Sequence, residues 1–96
     1  MKLNLALAQI NTKLGDVEAN LAKHMDYIEQ AKSEKTDLLV FPELSLTGYV
    51  LQDLVASVAR KPGEDDPIFK HLLKASHGLD LVVGFVDEDS RHRFYI

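Results

Sequence analysis

The sequence predicts an α/β fold, and three stretches carry that expectation. Residues 3–10 alternate, with Leu3, Leu5 and Leu7 on one face and Asn4, Ala6 and Ala8 on the other. Period two is the signature of a strand, and the small residues leave room for another layer to approach closely. Val17, Leu21, Met25 and Ile28 then follow at helical spacing and form one apolar stripe, as on an amphipathic helix packed against a core. Asp37–Phe41, DLLVF, is a short apolar run without alternation. Such a run suits a strand covered on both faces of a parallel sheet. Strand, amphipathic helix, strand is a βαβ unit, whose crossover is expected to be right-handed.

The elements follow in order along the chain. Thr12 to Gly15 reads as a turn, and Asp16 as the N-cap of the first helix, where a carboxylate accepts backbone N–H bonds and is favoured by the helix dipole. Glu18, Lys23, Asp26, Glu29 and Lys32 point to water in that reading, and the helix frays near Ser33 to Thr36. Pro42 cannot donate to a sheet ladder and disfavours the helical region at Phe41, so the second strand stops there. Leu51 to Ala59 forms a short helix. Arg60 to Asp65 is a polar loop. Asp66-Pro67 starts a further helix, with Asp as N-cap and Pro at the first helical position. Its buried stripe is Ile68, Leu72 and Ala75, widened by Phe69 and Leu73. Leu79 to Val86 is a third strand, in which Gly84 permits close packing. Asp87 to Arg91 is a charged turn, and His92 to Ile96 begins a fourth strand. In outline the order is βαβαββ.

Composition narrows the function. The chain has 96 residues, 46% of them hydrophobic and 27% charged, the values of an ordinary globular domain. A net charge of -4 gives no electrostatic case for nucleic acid or an anionic membrane surface. No apolar run approaches the roughly 20 residues that span a bilayer. The N-terminus reads as a strand, not a signal peptide, and a cytoplasmic protein is the simplest expectation. With no cysteine there is no disulfide framework and no Cys-based metal site.

Among chemical candidates Glu43 stands first. It lies just beyond the C-terminal end of a parallel strand, where functional groups gather in open α/β sheets. Its apolar neighbours suggest burial, which would raise its pKa and make it a proton acceptor at working pH. Read locally, it is either that or a solvated loop acid. Gly48-Tyr49 reads as a turn that brings Tyr49 back over the strand end, either to line a pocket mouth or to pack with its hydroxyl at the surface. Ser45 and Thr47 sit in no Gly-x-Ser-x-Gly elbow and no histidine is near them in sequence, so no serine nucleophile is proposed. His24, His71, His77 and His92 are scattered without metal-ligand spacing, and surface or helix-end roles are expected of them. The acidic turns at 64–66 and 87–89 read as solvated, and no metal site is expected.

These residues resemble a known family. LALAQINTKLGDVEANL, DLLVFPELSLTGY and LDLVVGFVDE, with Gln9, Gly15, Asp16, Asn20, Pro42, Glu43, Gly48, Tyr49 and Gly84 as landmarks, are similar to the N-terminal part of the nitrilase superfamily, the carbon–nitrogen hydrolases. The resemblance covers the whole chain. It implies an αββα sandwich, of which residues 1–96 are an N-terminal segment, and subunits that commonly pair, so a homo-oligomer is expected.

The family's catalytic set is Glu–Lys–Cys. The resemblance implies that Glu43 is the general base, taking the thiol proton and later helping water attack a thioester, while the Lys stabilises the tetrahedral intermediate. Tyr49 is implied as a lining residue for a small amide or nitrile substrate, with no cofactor. Lys70 and Lys74 do not match the catalytic lysine, and the cysteine is absent, so this chain alone is expected to be inactive and its parent to hydrolyse non-peptide C–N bonds. Gly48-Tyr49 followed by Asp53-Leu54 also resembles the glutamine-hydrolysing domain of NAD synthetases, an alternative reading. A third is a non-catalytic fragment that binds a partner through an open sheet edge at its unpaired fourth strand.

Overall fold

A computed structural model describes residues 2–49 and 51–96, and the side chain of Asp53 lies outside what it describes. Three short strands, β1 (Leu5–Leu7), β2 (Leu38–Val40) and β3 (Asp80–Val82), form a parallel sheet in the order β1-β2-β3. Leu5, Leu38 and Asp80 share one register level, and Leu7, Val40 and Val82 another. The first crossover carries α1 (Val17–Ser33), and the second carries a 3-10 turn (Gln52–Leu54), α2 (Val55–Val58) and α3 (Pro67–Ala75).

Both long helices begin where the sequence places them. Asp16 accepts a bond from the Ala19 N–H at 3.0 Å. That bond, with Lys13 beside it, holds the Asp16 carboxyl below its ordinary range. Asp66 accepts from the Ile68 N–H at 2.8 Å and pairs with Arg60 at 2.9 Å, ahead of Pro67 in the first helical position.

α1 and α3 contact each other over one face of the sheet. The core lies there, with Ile28 of α1 fully buried against Leu39 of β2 and Leu72 of α3. Ala6 and Ala8 of the first strand region pack partly on this core, so their small size does admit the helix layer. The opposite face is bare in this chain. Leu5 and Leu7 are exposed, Val82 is half-exposed and Leu38 and Val40 are only partly covered. The two-sided cover expected of β2 is therefore present on one side only, because both crossover helices lie on the same face.

Two expectations change at the end of the chain. Asp87–Glu88, expected within a turn, is a strand, β4, and it pairs antiparallel with β5 (Phe94–Tyr95). The fourth strand is thus not an unpaired edge but half of a separate hairpin. Asp89 closes its turn, accepting from the Arg91 and Arg93 N–H groups and from the Arg93 guanidinium.

Candidate active site

The site grows from the end of β2. Phe41 still donates to Val82 of the neighbouring strand at 2.8 Å, and Pro42 then ends the ladder. The chain turns over Pro42–Gly48. Ser45 N–H bonds the Pro42 carbonyl, and Thr47 and Gly48 N–H groups bond the Leu44 carbonyl. Leu44 adopts a φ of +54°, a left-handed conformation that costs a non-glycine residue about 1–3 kcal/mol and persists only where its surroundings over-determine it. Those surroundings are visible. Leu46 N–H bonds the Gly84 carbonyl at 3.0 Å, and Gly15 N–H bonds the Thr47 carbonyl at 2.8 Å. Gly84 lies so close that a Cβ on it would sit 2.1 Å from Leu44 N and 2.7 Å from the Pro42 carbonyl oxygen. Only glycine fits there, and its contact is with the Pro42–Leu44 backbone that carries Glu43.

Glu43 projects outward and is exposed, whereas Leu44 through Gly48 are buried. The apolar burial expected of Glu43 is not present in this chain. Its neighbours Phe41, Leu44 and Leu46 turn inward to the core, and the turn sends the acid the other way. The placement at the carboxyl end of a parallel strand is as expected.

Gly48, at φ +88°, turns the chain so that Tyr49 stands 58% exposed. Tyr49 lines a hollow of about 190 Å³ with Leu44, Leu51, Val55, Val86 and Phe94. Leu44 thereby connects the hollow to the Glu43 turn. Lys70 and Lys74 are exposed on α3. Among the described residues no group of three His, Cys, Asp or Glu side chains could hold a metal ion, and no helix is long and apolar enough to cross a membrane.

The structure also assembles residues that sequence reading missed. His24, expected at the surface, is fully buried, as are Asn20 and Ser45. The buried face of α1 runs through Val17, Asn20, His24, Ile28 and Ala31, while Leu21 and Met25 are only half-buried at its flank. The spacing of three, four, four and three was present in the sequence, but two of its members are polar. Asn20 accepts from Lys13 N–H at 2.7 Å and donates to the Lys13 and Leu46 carbonyls at 2.8 and 2.9 Å. His24 stacks on Phe41 with ring centroids 4.1 Å apart. Its Nδ1 lies 2.6 Å from the Asn20 carbonyl oxygen and its Nε2 2.8 Å from Ser45 Oγ. A histidine is therefore beside Ser45 in space though not in sequence. The pair is sealed from solvent, and Nδ1 faces a backbone carbonyl instead of a carboxylate, so no substrate can reach this serine. Burial pushes the His24 pKa below its ordinary value of 6.5, against a smaller opposing effect of the Asn20 carbonyl.

The sequence model of the carbon-nitrogen hydrolase family matches residues 4–94. The chain belongs to the carbon–nitrogen hydrolase family. Among the relatives of this chain is a glutamine-dependent NAD(+) synthetase of Thermotoga maritima, 39% identical over 93 residues, which span 92% of this chain and 16% of the relative. A probable nitrilase of Schizosaccharomyces pombe is 32% identical over 95 residues, which span 95% of this chain and 35% of the relative. The solved structure of a glutamine-dependent NAD+ synthetase from Acinetobacter baumannii, in complex with ADP, superposes with a TM-score of 0.69 at 31% identity, covering 95% of this chain and 17% of that one. The chain thus spans well under half the length of each of these proteins. Its parallel sheet and helices are a fragment of the nitrilase-type fold.

Proposed function

We propose that this segment supplies the general base of a cysteine-dependent amide hydrolase, with Glu43 in that role, and that the amide is the side chain of glutamine. The observation that carries the reading is the placement of Glu43. It stands exposed at the carboxyl end of a parallel strand, on a strained turn that a glycine and a buried hydrogen-bonded network hold in place. A base must reach the proton it abstracts, and fixed geometry is what a turn so constrained provides.

The Glu43 carboxylate takes the proton from a cysteine thiol as the thiolate attacks the amide carbonyl. The C–N bond then breaks, and ammonia leaves with that proton. Glu43 next accepts a proton from water, which attacks the thioester. The C–S bond breaks, the acid departs and the thiolate recovers its proton from Glu43. The cysteine and the lysine for the oxyanion are contributed by sequence outside these 96 residues. Tyr49, in the hollow that Leu44 joins to the Glu43 turn, contributes to binding the substrate.

Support for glutamine as substrate comes from the likeness to glutamine-dependent NAD(+) synthetases over almost the whole chain. In that setting the ammonia is handed to a synthetase domain on the same polypeptide. The likeness to a probable nitrilase favours a second reading, a free-standing amidase or nitrilase. Ammonia release should be assayed with the complete protein that carries this segment, from glutamine and from simple amides and nitriles, with and without ATP. Glutamine hydrolysis coupled to ATP-dependent NAD formation supports the first reading. Hydrolysis of other amides or nitriles without it supports the second. No C–N hydrolysis at all contradicts both.

A further inference from the structure

We infer that His24 and Ser45 form a buried positioning pair that sets the orientation of Glu43 from beneath its turn, an inference that rests on Glu43 being the base. With a neutral imidazole the hydrogen bonds admit one arrangement. Gly84 N–H donates to Ser45 Oγ at 3.1 Å. The Ser45 hydroxyl then directs its own proton to His24 Nε2 at 2.8 Å. Nε2 must be the bare nitrogen, and Nδ1–H donates to the Asn20 carbonyl at 2.6 Å. Each polar side-chain atom of His24 and Ser45 thus has a partner of the right sense. Burial favours the neutral imidazole that this pattern requires.

The geometry ties three elements to one point. His24 belongs to α1, Ser45 lies two residues after Glu43, and Gly84 follows β3. Gly84 also abuts the Pro42–Leu44 backbone, so the atom that donates to Ser45 belongs to the residue against which the Glu43 peptide rests. A turn holding a left-handed leucine returns to a lower-energy conformation when its tethers are cut. The Ser45–His24 bond is the tether nearest Glu43 that side chains make. Neither residue meets substrate, so the expected signature is a lower kcat with KM unchanged. A displacement of about 1 Å in a reacting group lowers the rate by up to about 100-fold.

The test uses the complete hydrolase. Ser45→Ala removes one oxygen, and His24→Phe keeps a ring to stack on Phe41 while removing both nitrogens. Each variant, assayed well below its unfolding temperature, is expected to lose about 10- to 100-fold in kcat with KM within twofold of the parent. The double variant is expected to be no slower than the worse single variant, because both cut the same tether. Ser45→Ala carries the test if His24→Phe fails to fold. A Ser45→Ala enzyme with unchanged kcat, with a raised KM as its only defect, or with losses that multiply in the double variant overturns the positioning role. Glu43→Gln is run beside them. If that enzyme is inactive while Ser45→Ala is normal, only this inference fails. If it is fully active, the assignment of the base itself fails.

Discussion

The two sides of the Pro42–Gly48 turn differ in nearly every physical respect. On the outer side Glu43 is exposed. On the inner side Ser45 is fully buried and bonded to His24 and Gly84. The outer side carries the group available for chemistry, and the inner side carries the stability that fixes it. One turn can do both because the left-handed Leu44 separates the exposed Glu43 from the buried run that follows it. Strain and burial are thus spent beneath the acid rather than on it.

Substitutions that probe this contrast should differ in the same way. The largest effect on stability is expected at Gly84. Gly84→Ala forces a methyl into the Glu43 turn backbone and should lower unfolding free energy by about 3 kcal/mol, measured by denaturant titration. Asn20→Ala comes next. It strands the buried Leu46 carbonyl and removes the two part-buried bonds to the Lys13 backbone, for a loss of about 2 kcal/mol. A smaller effect follows from pH. The His24 pKa is depressed in the folded state, so the unfolded chain binds the proton more readily. Its contribution is complete above about pH 6.5 and is lost as pH falls through that value toward the folded pKa. Unfolding free energy measured between about pH 5 and 7 should rise with pH, and His24→Phe should flatten that slope. Smallest of all is Glu43→Gln, which should change stability by no more than about 0.5 kcal/mol because the side chain is exposed. A large loss there would erase the contrast.

The same contrast explains what the sequence disclosed. The βαβ unit, the Asp16 and Asp66 caps, the stop at Pro42 and the tight approach of Gly84 were legible, since each depends on residues near in sequence or on a glycine with one sensible use. Glu43 was found by its place after a strand, yet its exposure was misjudged. Apolar neighbours signal burial only when the side chain points their way, and a left-handed residue at position 44 cannot be read from a leucine. The places of Asn20 and His24 on the buried face of α1 are not legible from the sequence, because a stripe is recognised by its apolar members. Their spacing matched Val17, Ile28 and Ala31, but their partners, Leu46 and Ser45, lie more than 20 residues away in sequence. The β4–β5 hairpin was hidden for a similar reason: its first strand, Asp87–Glu88, is acidic, and pairing rather than hydrophobicity defines it.

Turnover tests the role of Glu43 as the base most directly. In the complete protein, with glutamine or whichever amide or nitrile it hydrolyses, Glu43→Gln should reduce ammonia release by about a thousandfold or more while unfolding as cooperatively as the parent. A well-folded Glu43→Gln enzyme that turns over at a near-normal rate would contradict it.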